Sequence, residues 1–296
     1  LTVLLAREAG FPCPATRLYD GPGGLASAAE DLGFPMVVKP RFTSGGRGMA
    51  IVRDRRELAE RAPAVAAEHG PPLLQEYIPG GDRGSVQLVL GRDGKVLFAF
   101  HKARRRKLRL TARYGTVSES AAPDGPAGRT AGLVARLGWW GAIGVETIHD
   151  PRDGVDKLME INPRFPRQLW NRTALGINEP WMCLRLARGE EVAAVEGYPL
   201  GVLFVSPVED AMLLAFQVLD RAAYRLRCAA GRPLDPASAA PPVVELLRSF
   251  AATYRGRRRR LIDPYSRFFL QDPATSLSWW LQFSTWVFGG WRHLGR

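Results

Sequence analysis

The chain has 296 residues, 46% of them hydrophobic and 24% charged. That composition supports a packed core and excludes a disordered, collagen-like or low-complexity chain. Three scattered cysteines, Cys13, Cys183 and Cys228, form no CxxC pair, so a disulfide scaffold is not expected and a reducing, cytoplasmic setting fits. The four histidines stand apart, which argues against a His/Cys zinc site. A formal charge of +12 permits nucleic acid, phosphorylated ligands or an anionic membrane as partners without choosing among them.

The opening residues, LTVLLAREAGFPCP, have no basic stretch before an apolar run and no small-residue cleavage site, so they do not read as a signal peptide. The sequence reads as starting inside a longer protein. No apolar run approaches the ~20 residues that span a bilayer. Apolar spacing predicts short helices over 2–9 and 25–32, then a buried strand over 35–40 with Lys39 at its end. A glycine-rich turn, TSGGRG, covers 43–48, followed by a returning strand at 49–52 and an amphipathic helix over 55–69. Residues 73–78 read as a strand broken by Gly80 and Gly81. Apolar segments 85–90 and 95–101 flank Gly91-Arg-Asp-Gly94, the signature of a hairpin. A basic loop, a helix over 126–137 and a second hairpin follow, with strands 141–149 and 157–162 about the turn 150–154. From about 206 the chain reads as mostly helical, with a proline- and alanine-rich linker at 233–242 and an aromatic end.

Three constellations carry chemistry. In the second hairpin, Glu146 and Glu160 lie symmetrically about Asp153, which sets them opposite each other in an antiparallel pair. Asn162 shares the face of Glu160, and Arg164 follows at the strand end. Two carboxylates and an amide oxygen suit a hard cation such as Mg²⁺ bridging phosphates. The plainer alternative is an exposed acidic pair, but like charges directly opposite repel and the flanking residues are apolar. Second, Lys39 precedes Ser44, Gly45, Gly46, Arg47 and Gly48. Glycines let backbone N–H groups approach an anion, and the lysine adds a point charge; a loose hairpin turn is the alternative. Third, Gln75-Glu76-Tyr77-Ile78 is either a strand end with one exposed acid or a hinge facing an adenine edge.

Taken in order, the strand with Lys39, the glycine-rich turn, the QEYI strand, the hairpin, the basic loop and VET…LMEINPRF resemble the ATP-grasp fold. The resemblance runs from about residue 1 to about residue 200. Its most specific parts are GFPMVVKPRFTSGGRGM and LMEINPRF, and related strings occur in biotin carboxylase, carbamoyl phosphate synthetase and the D-alanine ligases. QEYIPGGD, RYGTVSES and DPRDG…LMEINPRF look like the carboxylate–amine ligase-like subgroup. The resemblance implies an α+β fold in which two α+β lobes grip ATP between antiparallel sheets. Residues 1–75 would form the N-terminal lobe and 76–205 the C-terminal lobe with the metal site. Residues 206–296 would add a mostly helical, aromatic- and arginine-rich extension. It also implies roles: Lys39 on the α/β-phosphates, the loop through Met49 closing over them, Glu76, Tyr77 and Ile78 at the adenine, and Asp82 at the ribose. Glu146, Glu160 and Asn162 would bind Mg²⁺ (or Mn²⁺), and Arg164 would face the transferred phosphate. Members usually carry a lysine and an α/β domain ahead of the segment where this sequence begins. Thr147 stands where an aromatic is commoner.

The basic loop KARRRKLR at 102–109 has six cations in eight residues. Aromatics suited to base stacking do not interleave with it, so nucleic acid is not the expected partner. In this fold Lys102 and Arg104, at the strand end, are expected to reach the phosphate or a substrate carboxylate, with Arg113 and the turn 115–118 at the substrate lip. The expected activity is an ADP-forming ligase that activates a small-molecule carboxylate as an acyl phosphate for attack by an amine. The alternatives are a small-molecule kinase on the same machinery, and a membrane- or polyanion-binding protein with a regulatory nucleotide site. At the C-terminus, RGRRRR at 255–260 precedes four of the eight tryptophans, which fall in the last 18 residues. That end is expected to pack on the body, to form a dimer contact or to dock peripherally on the inner face of a membrane.

Overall fold

The structure is a computed structural model that describes residues 2–43, 46–79, 83–106, 116–123, 126–166, 168–230, 242–255, 259–264, 266, 272, 274 and 278. Two compact units emerge. One comprises Leu1–Lys102, Ala122–Arg167 and Glu179–Glu196; the other comprises Ala103–Ala121, Gln168–Asn178 and Gly197–Arg296.

The first unit begins with α1 (Thr2–Glu8) and β1 (Thr16–Leu18), then α2 (Leu25–Leu32), β2 (Met36–Lys39), β3 (Ala50–Val52), α3 (Arg55–His69) and β4 (Leu73–Glu76). The four strands form an antiparallel sheet in the order β1-β4-β2-β3. Its inner face supplies Met36, Val38, Val52 and Leu74, which pack on Leu25, Ala28 and Ala29 of α2 and Leu58, Ala62 and Val65 of α3. The start of α3 is fixed by Asp54, whose carboxylate accepts the Glu57 N–H at 2.8 Å while Glu57 reaches back to the Arg53 N–H at 2.8 Å. This reciprocal cap satisfies two donors at the helix entry. Asp54→Ala is expected to cost about 1 kcal/mol, seen as a lower urea midpoint at unchanged slope.

The same unit continues through β5 (Arg83–Leu90), the start of β6 (Val96–Arg106), α4 (Pro126–Arg136), β8 (Gly141–Asp150), β9 (Val155–Asn162) and α6 (Glu179–Ala187); β7 (Val117–Ala121) and α5 (Trp170–Thr173) belong to the second unit. Here the strand order is β6-β5-β8-β9, with β5–β8 and β8–β9 antiparallel. Val86, Leu88 and Leu90 of β5 and Ile143 of β8 bury one face against Val134 of α4. Period-2 alternation therefore sends Ser85, Gly144, Glu146, Glu160 and Asn162 to the other face. That alternation is what puts the polar residues of three strands on one surface.

The second unit joins β7 to β10 (Leu203–Val205) antiparallel, and β10 to β11 (Arg260–Ile262) in parallel. It also holds α7 (Pro207–Ala229) and α8 (Val243–Arg255). Among the described residues the region from 206 is thus helical with one added strand: β11 begins within the arginine run, which reads from sequence as charge alone. β7, with the sequence VSESA, is buried at Val117, Ser118, Glu119 and Ser120. Its hydroxyls replace apolar packing: Ser120 Oγ donates to the Pro199 carbonyl at 2.7 Å and accepts the Val202 N–H at 3.0 Å. Likewise Asp210 of α7 accepts from Thr116 Oγ1 at 2.7 Å and from the Tyr254 hydroxyl at 3.1 Å. No described helix is long and apolar enough to cross a membrane.

Candidate functional site

The hairpin of β8 and β9 sets Glu146 directly opposite Glu160, and Gly144 opposite Asn162. The register is not uniform along it. Asp150 pairs with Val155 and Thr147 with Leu158, yet Glu146 pairs with Glu160, so Met159 is an extra residue. A β-bulge of this kind re-aims side chains and leaves a backbone group outside the ladder. Lys39, at the end of β2, takes up that backbone: its Nζ donates to the Met159 carbonyl at 2.8 Å.

The bulge therefore brings the lysine of one sheet to the two carboxylates of the other. Lys39 is half-buried. Burial pushes its ammonium below the usual lysine range, the charge of Glu160 pulls it back up, Arg83 lowers it and Glu146 raises it. Lys39, Arg83, Glu146 and Glu160 thus share one electrostatic neighbourhood. Beyond Glu160 the chain continues as a relay of polar bonds. Asn162 Nδ2 donates to Glu160 Oε1 at 2.9 Å, and Arg164 Nη2 donates to Asn162 Oδ1 at 3.2 Å. Arg164 also donates to the Phe165 carbonyl at 3.1 Å. Among the described residues no group of three or more His, Cys, Asp or Glu is placed to hold a metal. Two carboxylates plus an amide oxygen is instead the sparse set that suits Mg²⁺ completing its shell with phosphate oxygens and water. The donor set fits such an ion, and a directly opposed acidic pair is otherwise costly.

The glycine-rich turn is described from Gly46 onward, and Ser44 and Gly45 lie outside the described residues. Gly46 and Gly48 adopt φ of 69° and 70°, the left-handed region that favours glycine. A Cβ at Gly48 would fall 2.4 Å from the His69 ring, so the turn sits against the end of α3 and only glycine fits. Thr43 Oγ1 donates to the Arg47 carbonyl at 2.9 Å and Met49 N to the Gly46 carbonyl at 3.3 Å, closing the loop. Phe42 and Met49 beside it are exposed.

Glu76 ends β4, ahead of half-buried Tyr77 and buried Ile78. Its carboxylate is engaged on both oxygens. Oε1 accepts the Ala15 N–H at 3.0 Å and Lys157 Nζ at 3.3 Å, while Oε2 accepts Arg152 Nη2 at 3.1 Å. Both cations also bind Asp150, through Lys157 Nζ at 2.7 Å and Arg152 Nε at 2.8 Å. The hydrogen bonds from Arg152 and Lys157 hold Asp150 well below the usual carboxylate range. Burial pulls Lys157 down, but bonds to Asp150, Asp153 and Glu76 outweigh it and hold the ammonium above its ordinary value. Lys102 and Arg104 lie on β6, Lys102 half-buried. Asp82, Arg113 and Gly115 lie outside the described residues, as do Trp279, Trp280, Trp286 and Trp291.

Sequence reasoning passed over Arg83, Arg152 and Lys157. The signal for Lys157 was present: the lone cation of the strand VDKLMEIN, three residues before Glu160.

A family model described as the ATP-grasp domain matches residues 2–167. The chain belongs to the ATP-grasp family. This ATP-grasp chain is 29% identical over 204 residues to the carbamoyl phosphate synthase large chain of Gemmatimonas aurantiaca, covering 64% of itself and 18% of that protein. It is 31% identical over 228 residues to the formate-dependent phosphoribosylglycinamide formyltransferase of Anaeromyxobacter dehalogenans, covering 72% of itself and 54% of that protein. The chain thus spans about a fifth to about a half of these relatives. Among solved structures, it matches the biotin carboxylase domain dimer of Hydrogenobacter thermophilus 2-oxoglutarate carboxylase, in complex with MgADP, ADP and bicarbonate. There the TM-score is 0.60 and the identity 18%, covering 68% of this chain and 47% of that one. It also matches the ADP complex of N5-carboxyaminoimidazole ribonucleotide synthetase at a TM-score of 0.58 and 17% identity, covering 74% of this chain and 59% of that one. These likenesses establish the fold.

Proposed function

We propose that the chain carries the ATP- and Mg²⁺-binding machinery of an ADP-forming ligase, which activates a carboxylate as an acyl phosphate for displacement by an amine. One observation carries the reading: the bulge at Met159 places Lys39 beside the directly opposed pair Glu146 and Glu160. The family membership and the names of the relatives support the same class.

In this reading Glu146, Glu160 and Asn162 hold Mg²⁺, or Mn²⁺, which when bound neutralises charge on the nucleotide phosphates. Lys39 places its ammonium on the α/β-phosphates, and the turn 43–49 offers backbone N–H groups over them. Arg164 lies one amide beyond Glu160 and steadies the oxygens of the transferred group. Lys102 and Arg104 serve the phosphate or the substrate carboxylate. The Glu76 carboxylate is committed to Arg152 and Lys157, so base recognition falls to backbone groups and to Tyr77 and Ile78, with Asp82 toward the ribose. The fold holds no enzyme nucleophile in this scheme; rate comes from positioning and charge neutralisation.

Product analysis tests the class. The full-length protein with Mg²⁺, ATP, pooled amino or sugar acids and an amine is expected to release ADP and phosphate, and to need both acid and acceptor. AMP and pyrophosphate would refute the acyl-phosphate route. A stable phosphorylated product without an acceptor requirement would replace the ligase by a kinase.

A further inference from the structure

The group formed by Asp150, Arg152, Lys157 and Glu76 joins two places that matter to the nucleotide reading. Glu76 closes β4 and leads directly into residues 77 and 78; Asp150 and Lys157 belong to the hairpin that carries Glu146 and Glu160. The cluster is well sheltered: the side chains are 0% exposed at Asp150, 13% at Lys157 and 17% at Glu76. Buried ion pairs are often no more stabilising than apolar packing, so their presence is weak evidence for a stability role. Their geometry is specific instead. Arg152 places its backbone N–H, Nε and Nη2 on Asp150 at 3.0, 2.8 and 2.5 Å, and the same Nη2 reaches Glu76. Lys157 spans Asp150, Asp153 and Glu76 at 2.7, 3.1 and 3.3 Å. Glu76 Oε1, the oxygen held by Lys157, also accepts the Ala15 N–H, which ties in the chain just ahead of β1.

We propose that Arg152 and Lys157 are positioning residues that grip the Glu76 carboxylate and so hold residues 77 and 78 in fixed relation to the Glu146–Glu160 hairpin. The inference rests on the nucleotide-site reading. One rigid frame then meets the base of an adenine nucleotide at one end and its metal-bound phosphates at the other. Loss of the grip loosens the base end and leaves the phosphate end as it was.

The test compares Lys157→Met, Arg152→Gln and Lys157→Arg with the wild-type full-length protein, by calorimetric titration of MgADP and of magnesium pyrophosphate, which lacks a base. Lys157→Met and Arg152→Gln are expected to bind MgADP about tenfold more weakly, with pyrophosphate affinity unchanged. The KM for ATP is expected to rise in step while kcat stays within about twofold. Lys157→Arg is expected to recover most of the affinity. Arg152 is nearly half exposed, so its variant reports even if Lys157→Met fails to fold. Wild-type MgADP affinity in both variants, or an equal loss for pyrophosphate, overturns the positioning role. A wild-type protein that binds no MgADP overturns the nucleotide reading itself and the inference with it.

Discussion

Glu160→Gln is expected to lower turnover by more than the roughly 100-fold that loss of even an outer-shell metal partner can cause, with the fold intact. Glu160 is exposed, and a glutamine oxygen can still accept the Asn162 amide bond that Oε1 accepts at 2.9 Å. What disappears is one of two anionic ligands for Mg²⁺. Glu146→Gln removes the other and is expected to behave alike. The decisive measurement is ATP affinity with and without Mg²⁺. In wild type the metal is expected to tighten binding, and in either variant that gain is expected to shrink sharply. If both variants keep the full Mg²⁺-dependent gain, the opposed carboxylates do not hold the ion.

The pairing of Glu146 with Glu160 was legible in the sequence, but for an incomplete reason. Symmetry about Asp153 gives the right partners. The turn alone does not, because Asp150 pairs with Val155 and Thr147 with Leu158. Continued unbroken, that register would set Met159 opposite Glu146 and turn Glu160 to the other face, since a one-residue slip inverts every side chain. The bulge restores the phase. Nothing in the string KLMEIN marks it, because a bulge answers to a partner elsewhere, here Lys39 from a distant strand. The long amphipathic helices and the hairpins were legible because their periodicity is local. β7 was not, since both of its faces are buried and Ser120 meets its hydrogen-bond partners at Pro199 and Val202. Nor was the engagement of Glu76, whose partners Arg152 and Lys157 lie 76 and 81 residues away.

Lys39→Met separates function from stability most cleanly. The ammonium stands where burial disfavours its charge, and the charges of Glu160 and Glu146 act against that penalty, with Arg83 adding to it. A methionine keeps the apolar stem and removes the strained charge. Catalytic turnover with saturating Mg²⁺ and ATP is expected to fall by about 100- to 1,000-fold, the scale set by losing one preorganised group at developing charge. Thermal stability is expected to hold or rise, because among the described residues the polar bond lost is that to the Met159 carbonyl, while the burial penalty on the charge goes with it. Lys39→Met with normal turnover and a lower melting temperature would make the lysine a structural tie between β2 and β9. Lost turnover at unchanged or higher stability assigns its charge to the phosphates.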